Sequence, residues 1–278
     1  MLLLEEKWAQ ISMRHVGNLE RVIWIKIKSI GCLKLGGADL EAFSITDIGE
    51  RRRVNQDYVF CEKEAVGNLP NLFIVADGMG GHNAGDYASR FCVEFFTQRI
   101  RTSENSSPIA TIETAIKETN DNLRKIAKDK SELEGMGTTF VVATIFDKTM
   151  YVANIGDSRL YVIGNEMRQI TEDHSLVEAM VKTGELNRDQ AKVHPNKNII
   201  TRALGANETV EPDFFEVNLE NGDIVLMCSD GLTNMLEDEM IEKIIRENSS
   251  PEIAAETLVK QANQNGGKDN IAIILIKV

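Results

Sequence analysis

The sequence predicts an α+β protein in which antiparallel sheets are layered against helices. Residues 151–163, YVANIGDSRLYVI, hold two apolar strands on either side of a tight turn, and so short a turn indicates antiparallel pairing. The other candidate strands cluster in the middle and at the end of the chain and do not alternate strictly with helices. This order favours a layered sandwich over a doubly wound parallel sheet.

The first 40 residues carry the least information, and we assign residues 1–40 to an N-terminal extension of unknown role. Its alternating IKIKSI segment is typical of a strand, and the glycine pair at 36–37 indicates a boundary. It is either a small appended element or a consequence of where translation was taken to start. Residues 41–278 form the main domain.

Short apolar strands and long helices make up the main domain. The strands are predicted in EAFSITDI, NLFIVAD, TTFVVATIF, MYVANIG, RLYVI, DIVLMCSD and NIAIILIKV. Apolar positions that recur every 3.6 residues predict helices over about 84–100, 108–129, 237–246 and 251–264. Ser250 and Pro251 open the last helix as a cap and a first-turn proline.

Composition narrows the classes of partner and compartment. The 278 residues are 42% hydrophobic with a formal net charge of −12, which argues for a globular core and against nucleic-acid or anionic-membrane partners. No apolar run approaches the roughly 18 residues that span a bilayer, and the N-terminus lacks the pattern of a secretion signal. The four cysteines form no C-x-x-C pair. We therefore predict a cytoplasmic protein with reduced thiols.

Five aspartates lie beside apolar strands: Asp57, Asp77, Asp157, Asp230 and Asp269. Aspartate and glycine are ordinary turn formers, which would explain any one of them alone. If the strand ends converge, however, the carboxylates repel one another and bound cations would relieve the repulsion. Oxygen ligands without a Cys or His cluster select Mg²⁺ or Mn²⁺ over zinc. Gly78 fits such a site, because its backbone carbonyl can approach an ion closely.

Competing motifs fail at the stretch VADGMGGHNAG. A dinucleotide motif that starts at Gly78 would need glycine where Asn83 stands, and a Walker A loop from Gly80 would need lysine where Asp86 stands. No G-x-S-x-G elbow is present, and Cys92 has no arginine at the spacing of a cysteine-based phosphatase loop. The sequence thus offers no obvious nucleophile for covalent catalysis.

Seven motifs together resemble the metal-dependent protein serine/threonine phosphatases, the type 2C or PPM family, and most of all its stand-alone bacterial members. In chain order they are RRRVNQD, DGMGGHNAG, GTTFVVA, VANIGDSRLY, ITEDHS, CSDGL and GGKDNIAIILI. The resemblance covers about residues 41–278 and implies a type 2C phosphatase domain there. It also implies a four-layer α-β-β-α sandwich of two antiparallel sheets, with a flap near 174–205 that overhangs the site.

The resemblance also implies a metal site. Asp77 would bridge two core ions, Gly78 would offer its carbonyl to the second ion, and Asp230 and Asp269 would ligate the first. Asp57 would hold waters of the cluster, and Asp157 with Asp230 would take a third ion. The ions would be Mn²⁺ or Mg²⁺.

Two further residues acquire roles from the resemblance. Arg52, five residues before Asp57, would bind the substrate phosphate, while its neighbours Arg51 and Arg53 are surface charges. Animal members place a histidine directly after the Asp-Gly pair, where this chain has Met79. His82 lies in the same loop, where it either acts as the general acid or only forms a hydrogen bond within the glycine turn.

The expected activity is hydrolysis of phosphoserine and phosphothreonine in proteins by a water that bridges the metals. The expected partners are phosphorylated proteins, including a Ser/Thr kinase and its substrates, and the protein is expected to be a monomer. Two alternatives stay open: a small-molecule phosphomonoesterase, and a catalytically silent phosphatase-like binding module. The complete acid set argues against the silent module.

Overall fold

The computed structural model describes residues 4–10, 24–30, 40–81, 84–105 and 107–278. The chain divides into two compact units, Met1–Gly37 and Ala38–Val278. In the first unit, β1 (Leu4–Gln10) pairs antiparallel with β2 (Trp24–Ile30), which contains the IKIKSI segment that was predicted as a strand. The role of this unit stays unassigned.

The second unit contains eleven further strands, seven α-helices and one short 3-10 helix (Ser131–Leu133) within its described residues. The strands are β3 (Glu41–Asp47), β4 (Asp57–Glu62), β5 (Leu72–Met79), β6 (Gly137–Thr138), β7 (Phe140–Phe146), β8 (Thr149–Ile155), β9 (Arg159–Ile163), β10 (Met167–Gln169), β11 (Asp213–Asn218), β12 (Ile224–Cys228) and β13 (Ile271–Lys277). The helices are α1 (Ala84–Thr102), α2 (Pro108–Asp129), α3 (Leu176–Lys182), α4 (Arg188–Lys192), α5 (Asp230–Thr233), α6 (Asp238–Glu247) and α7 (Pro251–Gln264).

These strands form two antiparallel sheets. Sheet one has the order β10-β9-β12-β13-β3, and sheet two has the order β11-β8-β7-β5-β4 with β6 paired to β5. Strand β13 shows how the sheets stack: Ile271, Ile273 and Leu275 face the helices, while Ala272 and Ile274 face the other sheet. Because consecutive residues of a strand point to opposite faces, a strand buried on both sides is apolar throughout.

Three apolar layers hold the second unit together. One lies between the two sheets, one lies between sheet two and helices α1 and α2, and one lies between sheet one and helices α6 and α7. The fold is therefore the expected four-layer α-β-β-α sandwich. Among the described residues, no helix combines the length and the apolar character needed to cross a membrane.

The prediction that residues 151–163 form one hairpin is wrong. Strand β8 pairs with β7 and β11 in sheet two, whereas β9 pairs with β10 and β12 in sheet one. Both strands are apolar because each is buried on two faces, and such strands suit stacked sheets better than a half-exposed hairpin. The turn at Gly156, with φ +106, carries the chain from one sheet to the other. The hairpin lies earlier, where Asp147 with φ 53 joins β7 to β8.

The four predicted helices are confirmed as α1, α2, α6 and α7, and the Ser250 hydroxyl caps α7 by accepting from the N–H of Ile253. Asp230 does not end a strand as expected: β12 stops at Cys228, and Asp230 begins the short helix α5. Asp77 lies within β5, two residues before its end.

Candidate metal centre

Strand pairing and strand ends bring acidic residues from both sheets to one edge of the sandwich. Asp57 begins β4 and lies directly opposite Asp77 of β5 in the antiparallel register. Asp157 lies in the turn that crosses between the sheets, while Asp230 and Asp269 flank the paired strands β12 and β13. The charges of Asp57, Asp157, Asp230 and Asp269 all raise the pKa of Asp77, so the five acids lie close together.

Burial and like charge destabilise the ionised acids. The pKa of Asp57 is raised to about 7, that of Asp157 to about 8 and that of Asp230 to about 6, and the pKa of Asp77 lies well above its usual range. In each case removal from water is the main cause, and neighbouring carboxylates add to it. A site with this charge density favours bound cations.

Two buried oxygens of this acid set fit a cation. Oδ1 of Asp57 and Oδ1 of Asp230 are buried and have no hydrogen-bond donor among the described residues. The carboxyl of Asp77 lies beside both side chains, and once it is ionised it cannot donate a hydrogen bond to either of them. Since buried oxygens without a donor are costly, a hard divalent ion is the chemical group that suits them.

In this structure the acid side chains are not arranged around a common point as metal ligands would be. In the described part of the chain, no three His, Cys, Asp or Glu side chains are arranged as a ready-made metal cage. Asp269 accepts a hydrogen bond from Nη2 of Arg52 at 2.6 Å, and Asp230 accepts one from Nδ2 of Asn234 at 2.9 Å. Bound ions would therefore have to draw these carboxylates away from protein donors.

Gly78 occupies a position that tolerates no side chain. A Cβ atom there would lie 2.0 Å from the carbonyl oxygen of Gly85 and 2.8 Å from that of Gln56. The N–H of Gly78 donates to the same Gln56 oxygen at 3.0 Å. The close approach of the start of α1 to β5 thus requires this glycine, which is a different reason from the predicted approach of its carbonyl to an ion.

Three polar residues beside the acids were missed by the sequence reasoning. Thr139 accepts from the N–H of Asp77 at 2.9 Å, and its hydroxyl contacts that of Ser158 at 2.8 Å. Ser229 donates to Oδ2 of Asp57 at 2.6 Å. Thr139, Ser229 and Asn270 all lie within the quoted motifs, and Ser229 and Asn270 directly adjoin the acids Asp230 and Asp269, which was the available signal.

Asn270 fixes the loop that carries Arg52 and Asp57. Its Oδ1 accepts from the N–H of Gln56 at 2.9 Å, and its Nδ2 donates to the carbonyls of Ile48 and Val54 at 2.9 and 3.0 Å. This side chain therefore anchors the loop to the start of β13, where Asp269 lies.

His174 supports the turn that carries Asp157. Its ring Nδ1 accepts from the N–H of Gly156 at 3.1 Å, so Nε2 carries the proton and donates to Oδ2 of Asp213 at 2.9 Å. Asp213 also accepts from Nη1 of Arg202 at 2.8 Å. The side chain of His174 is buried, which agrees with a structural role.

The structure describes the segment predicted as a flap, whose position over the site stays a prediction, but not the predicted general acid. Residues 174–205 contain α3 and α4, and an isolated bridge between Ser175 and Ile200 brings the two ends of the segment together. His82 lies outside the described residues, so its role stays a prediction. Met79, the last residue of β5, lies at the site edge opposite Gly137.

Sequence comparison identifies the family. Residues 50–270 match the protein phosphatase 2C family. The serine/threonine phosphatase stp of Listeria monocytogenes is 41% identical over 239 residues, which cover 84% of this chain and 93% of the relative. The protein phosphatase PhpP of Streptococcus pneumoniae is 39% identical over 246 residues, which cover 86% of this chain and 98% of that protein.

Solved structures agree with the sequence relatives. The serine/threonine phosphatase Stp1 of Staphylococcus aureus superposes with a TM-score of 0.82 at 36% identity, over 89% of this chain and 98% of its own. The catalytic domain of the serine/threonine protein phosphatase PstP, solved with two manganese ions, superposes with a TM-score of 0.75 at 29% identity, over 86% and 97% of the two chains. The chain therefore belongs to the metal-dependent protein phosphatase 2C family of serine/threonine phosphatases.

Proposed function

We propose that this protein removes phosphate from phosphoserine and phosphothreonine in proteins at the acid cluster of the two sheets, with Mn²⁺ or Mg²⁺ as the cofactor. The observation that carries this proposal is the set of buried and half-buried acids with raised pKa values, two of which have an oxygen without a donor among the described residues. Family membership supports the reaction class.

The proposed metal ligands come from both sheets. Asp77 and Gly78 from sheet two, with Asp230 and Asp269 from sheet one, are the proposed ligands of two core ions. Asp57 would hold water of the bound ions through Oδ1, which has no donor among the described residues. Divalent ions in such a site supply an activated water and neutralise phosphoryl charge.

A third ion is proposed at Asp157 and Asp230. The charge of Asp230 contributes to the raised pKa of Asp157, which supports their proximity. The hydrogen bond from the N–H of Gly156 to His174 holds the turn that carries Asp157, so the position of the Asp157 carboxyl relative to sheet one is fixed. The third ion should bind more weakly than the two core ions, because fewer protein ligands would hold it.

Arg52 is the proposed phosphate-binding residue. Its side chain is 47% exposed, so a phosphoprotein can reach the guanidinium from solvent. Arginine offers two parallel N–H donors to a phosphate, which fixes the orientation of the substrate as well as its charge. To do so, Arg52 leaves Asp269, whose carboxylate is then available to a metal.

Proton transfer to the leaving serine or threonine oxygen is assigned to His82. It is the one histidine of the glycine-rich loop that follows Asp77. A histidine titrates close to neutral pH and can therefore donate a proton under cellular conditions.

We further propose that the protein acts in the cytoplasm as a monomer and opposes a Ser/Thr kinase by dephosphorylating that kinase and its substrates. Cys61, Cys92 and Cys228 are free thiols, which suits a reducing compartment. The net charge of −12 supports protein partners over nucleic acid.

Two comparisons test the function. Turnover of a phosphothreonine peptide should exceed that of sugar phosphates and nucleotides; the reverse ranking would favour the small-molecule phosphomonoesterase. Replacing Asp230 with asparagine should abolish turnover while partner binding persists. If Asp230→Asn binds and acts like the wild type, the acid cluster is not the catalytic centre.

A further inference from the structure

Ser229 is a buried serine between the end of β12 and the start of α5. Its hydroxyl donates to Oδ2 of Asp57 at 2.6 Å and accepts from the N–H of Ala272 at 2.9 Å. The N–H of Ser229 donates in turn to the carbonyl of Ala272 at 3.1 Å. Ser229 is thus fixed to its own sheet at two points, and its single donor hydrogen goes to a carboxylate.

This hydrogen bond connects the two sheets at the edge where the acids meet. Ser229 and Ala272 belong to the β12–β13 side of sheet one, whereas Asp57 begins β4 in sheet two. The residue next to Ser229 is Asp230, a proposed metal ligand. The serine therefore sets the position of an acid from one sheet relative to an acid from the other.

The hydrogen bond also decides which oxygen of Asp57 is free. Oδ2 is occupied by the Ser229 hydroxyl, while Oδ1 is buried without a donor among the described residues. A carboxylate bonded at one oxygen has a fixed rotation about its terminal bond. Groups that orient ligands in this way are known to influence metal affinity although they never touch the ion.

We propose that Ser229 is a positioning residue of the metal centre, which presents Oδ1 of Asp57 to the water shell of the bound ions and fixes Asp57 relative to Asp230. The inference depends on the proposed role of Asp57 in metal binding. It goes beyond that role by assigning a function to a residue outside the ligand set.

The chain provides a matched control in Ser89. This serine is also buried, and its hydroxyl donates to the carbonyl of Gln56, the residue before Asp57, at 2.6 Å. Ser89 thus makes a hydrogen bond of the same length to the same loop, and its second acceptor, at 3.3 Å, is the backbone carbonyl of Asp86, so both acceptors are backbone carbonyls and neither is a carboxylate. Replacing Ser89 with alanine measures what a purely structural loss does to the site.

The experiment measures Mn²⁺ affinity by isothermal titration calorimetry on the full chain, with urea unfolding of the metal-free protein in parallel. The variants are Ser229→Ala, Ser229→Thr, Asp57→Asn and Ser89→Ala. We expect Ser229→Ala to weaken Mn²⁺ binding about tenfold, the usual scale for loss of a ligand-orienting group. Ser229→Thr, which keeps the hydroxyl, should restore affinity, and Ser89→Ala should destabilise the fold without weakening Mn²⁺ binding.

Each result has a defined meaning. Wild-type Mn²⁺ affinity in Ser229→Ala, or equal losses in Ser229→Ala and Ser89→Ala, would overturn the positioning role and leave the proposed function intact. Wild-type affinity in Asp57→Asn would overturn both the positioning role and the assignment of Asp57. If Ser229→Ala does not fold, Ser229→Cys replaces it, because a thiol keeps the shape but is a weak donor and should still weaken binding.

Discussion

Replacing Arg52 with alanine tests whether this arginine serves the substrate or the metal site. The residue combines two properties: its guanidinium donates to Asp269 at 2.6 Å, and nearly half of its side chain is exposed. Alanine removes a phosphate donor and, at the same time, releases a proposed metal ligand. If Arg52 serves the substrate, its loss frees Asp269 and Mn²⁺ affinity should stay the same or rise. If Arg52 supports the metal site, Mn²⁺ affinity should fall.

The magnitude follows from the kind of hydrogen bond that is lost. A hydrogen bond to a charged group contributes about 1.5–3 kcal/mol, which corresponds to a change of about 10- to 150-fold in kcat/KM. Because the Arg52 side chain is 47% exposed, solvent weakens the interaction, and we expect the lower part of this range, about 10- to 30-fold. Most of the loss should lie in KM for a phosphothreonine peptide.

Steady-state kinetics at saturating Mn²⁺ and calorimetric Mn²⁺ titration together provide the assay. Arg53→Ala is the matched control, since Arg53 is an exposed neighbour with the same charge. Arg52→Ala should bind Mn²⁺ at least as tightly as the wild type, because a competing cation has left Asp269. Equal kcat/KM in Arg52→Ala and Arg53→Ala, or weaker Mn²⁺ binding in Arg52→Ala, would refute the proposed role of Arg52 in phosphate binding.

Two further predictions concern stability. Since the folded-state pKa of Asp57 is raised to about 7 and that of Asp230 to about 6, the metal-free protein binds extra protons, and its free energy of unfolding should fall as pH rises from about 4 to 8. Urea titrations across this range check the sign, and a rise in stability would contradict it. Gly78→Ala places a Cβ 2.0 Å from a backbone oxygen and should cost about 3 kcal/mol or more, whereas Gly81→Ala, whose Cβ would meet no described atom beyond its chain neighbours within 4 Å, should cost much less. Equal unfolding midpoints for the two variants would show that β5 and α1 can separate without cost.

Much of the fold could be predicted because strongly apolar, periodic segments carry their own signal. Helices α1, α2, α6 and α7 match the predicted ranges within about two residues, the usual uncertainty of helix ends. The strand β11 was missed because its residues, DFFEVN, are only partly buried at the edge of a sheet. Such a strand depends on its neighbour β8 for pairing, and its own pattern is weak.

The error at residues 151–163 has a physical cause. A short turn between two apolar strands is compatible with a hairpin and with a crossing between stacked sheets, and turn length alone cannot separate them. What decides is that β8 and β9 each find partners on both sides within different sheets. That pairing is a tertiary property, which local sequence does not encode.

The candidate site, like the fold, could be predicted from the sequence only in part. The acids could be singled out because each stands beside an apolar strand, and the sheets bring them to one edge. The hydrogen bonds of Ser229, Thr139 and Asn270 could not be inferred, since each joins segments that are far apart in the chain. The ion pair of Arg52 with Asp269 spans 217 positions for the same reason.

The central claim is that hydrolysis depends on divalent ions held by acids from both sheets, and metal removal tests it most directly. The protein is dialysed against a chelator, freed of chelator, and assayed on a phosphothreonine peptide as Mn²⁺ is added back. We predict that turnover falls at least about 100-fold without metal and returns with Mn²⁺ in the wild type but not in Asp230→Asn. Full turnover after exhaustive chelation would contradict the account.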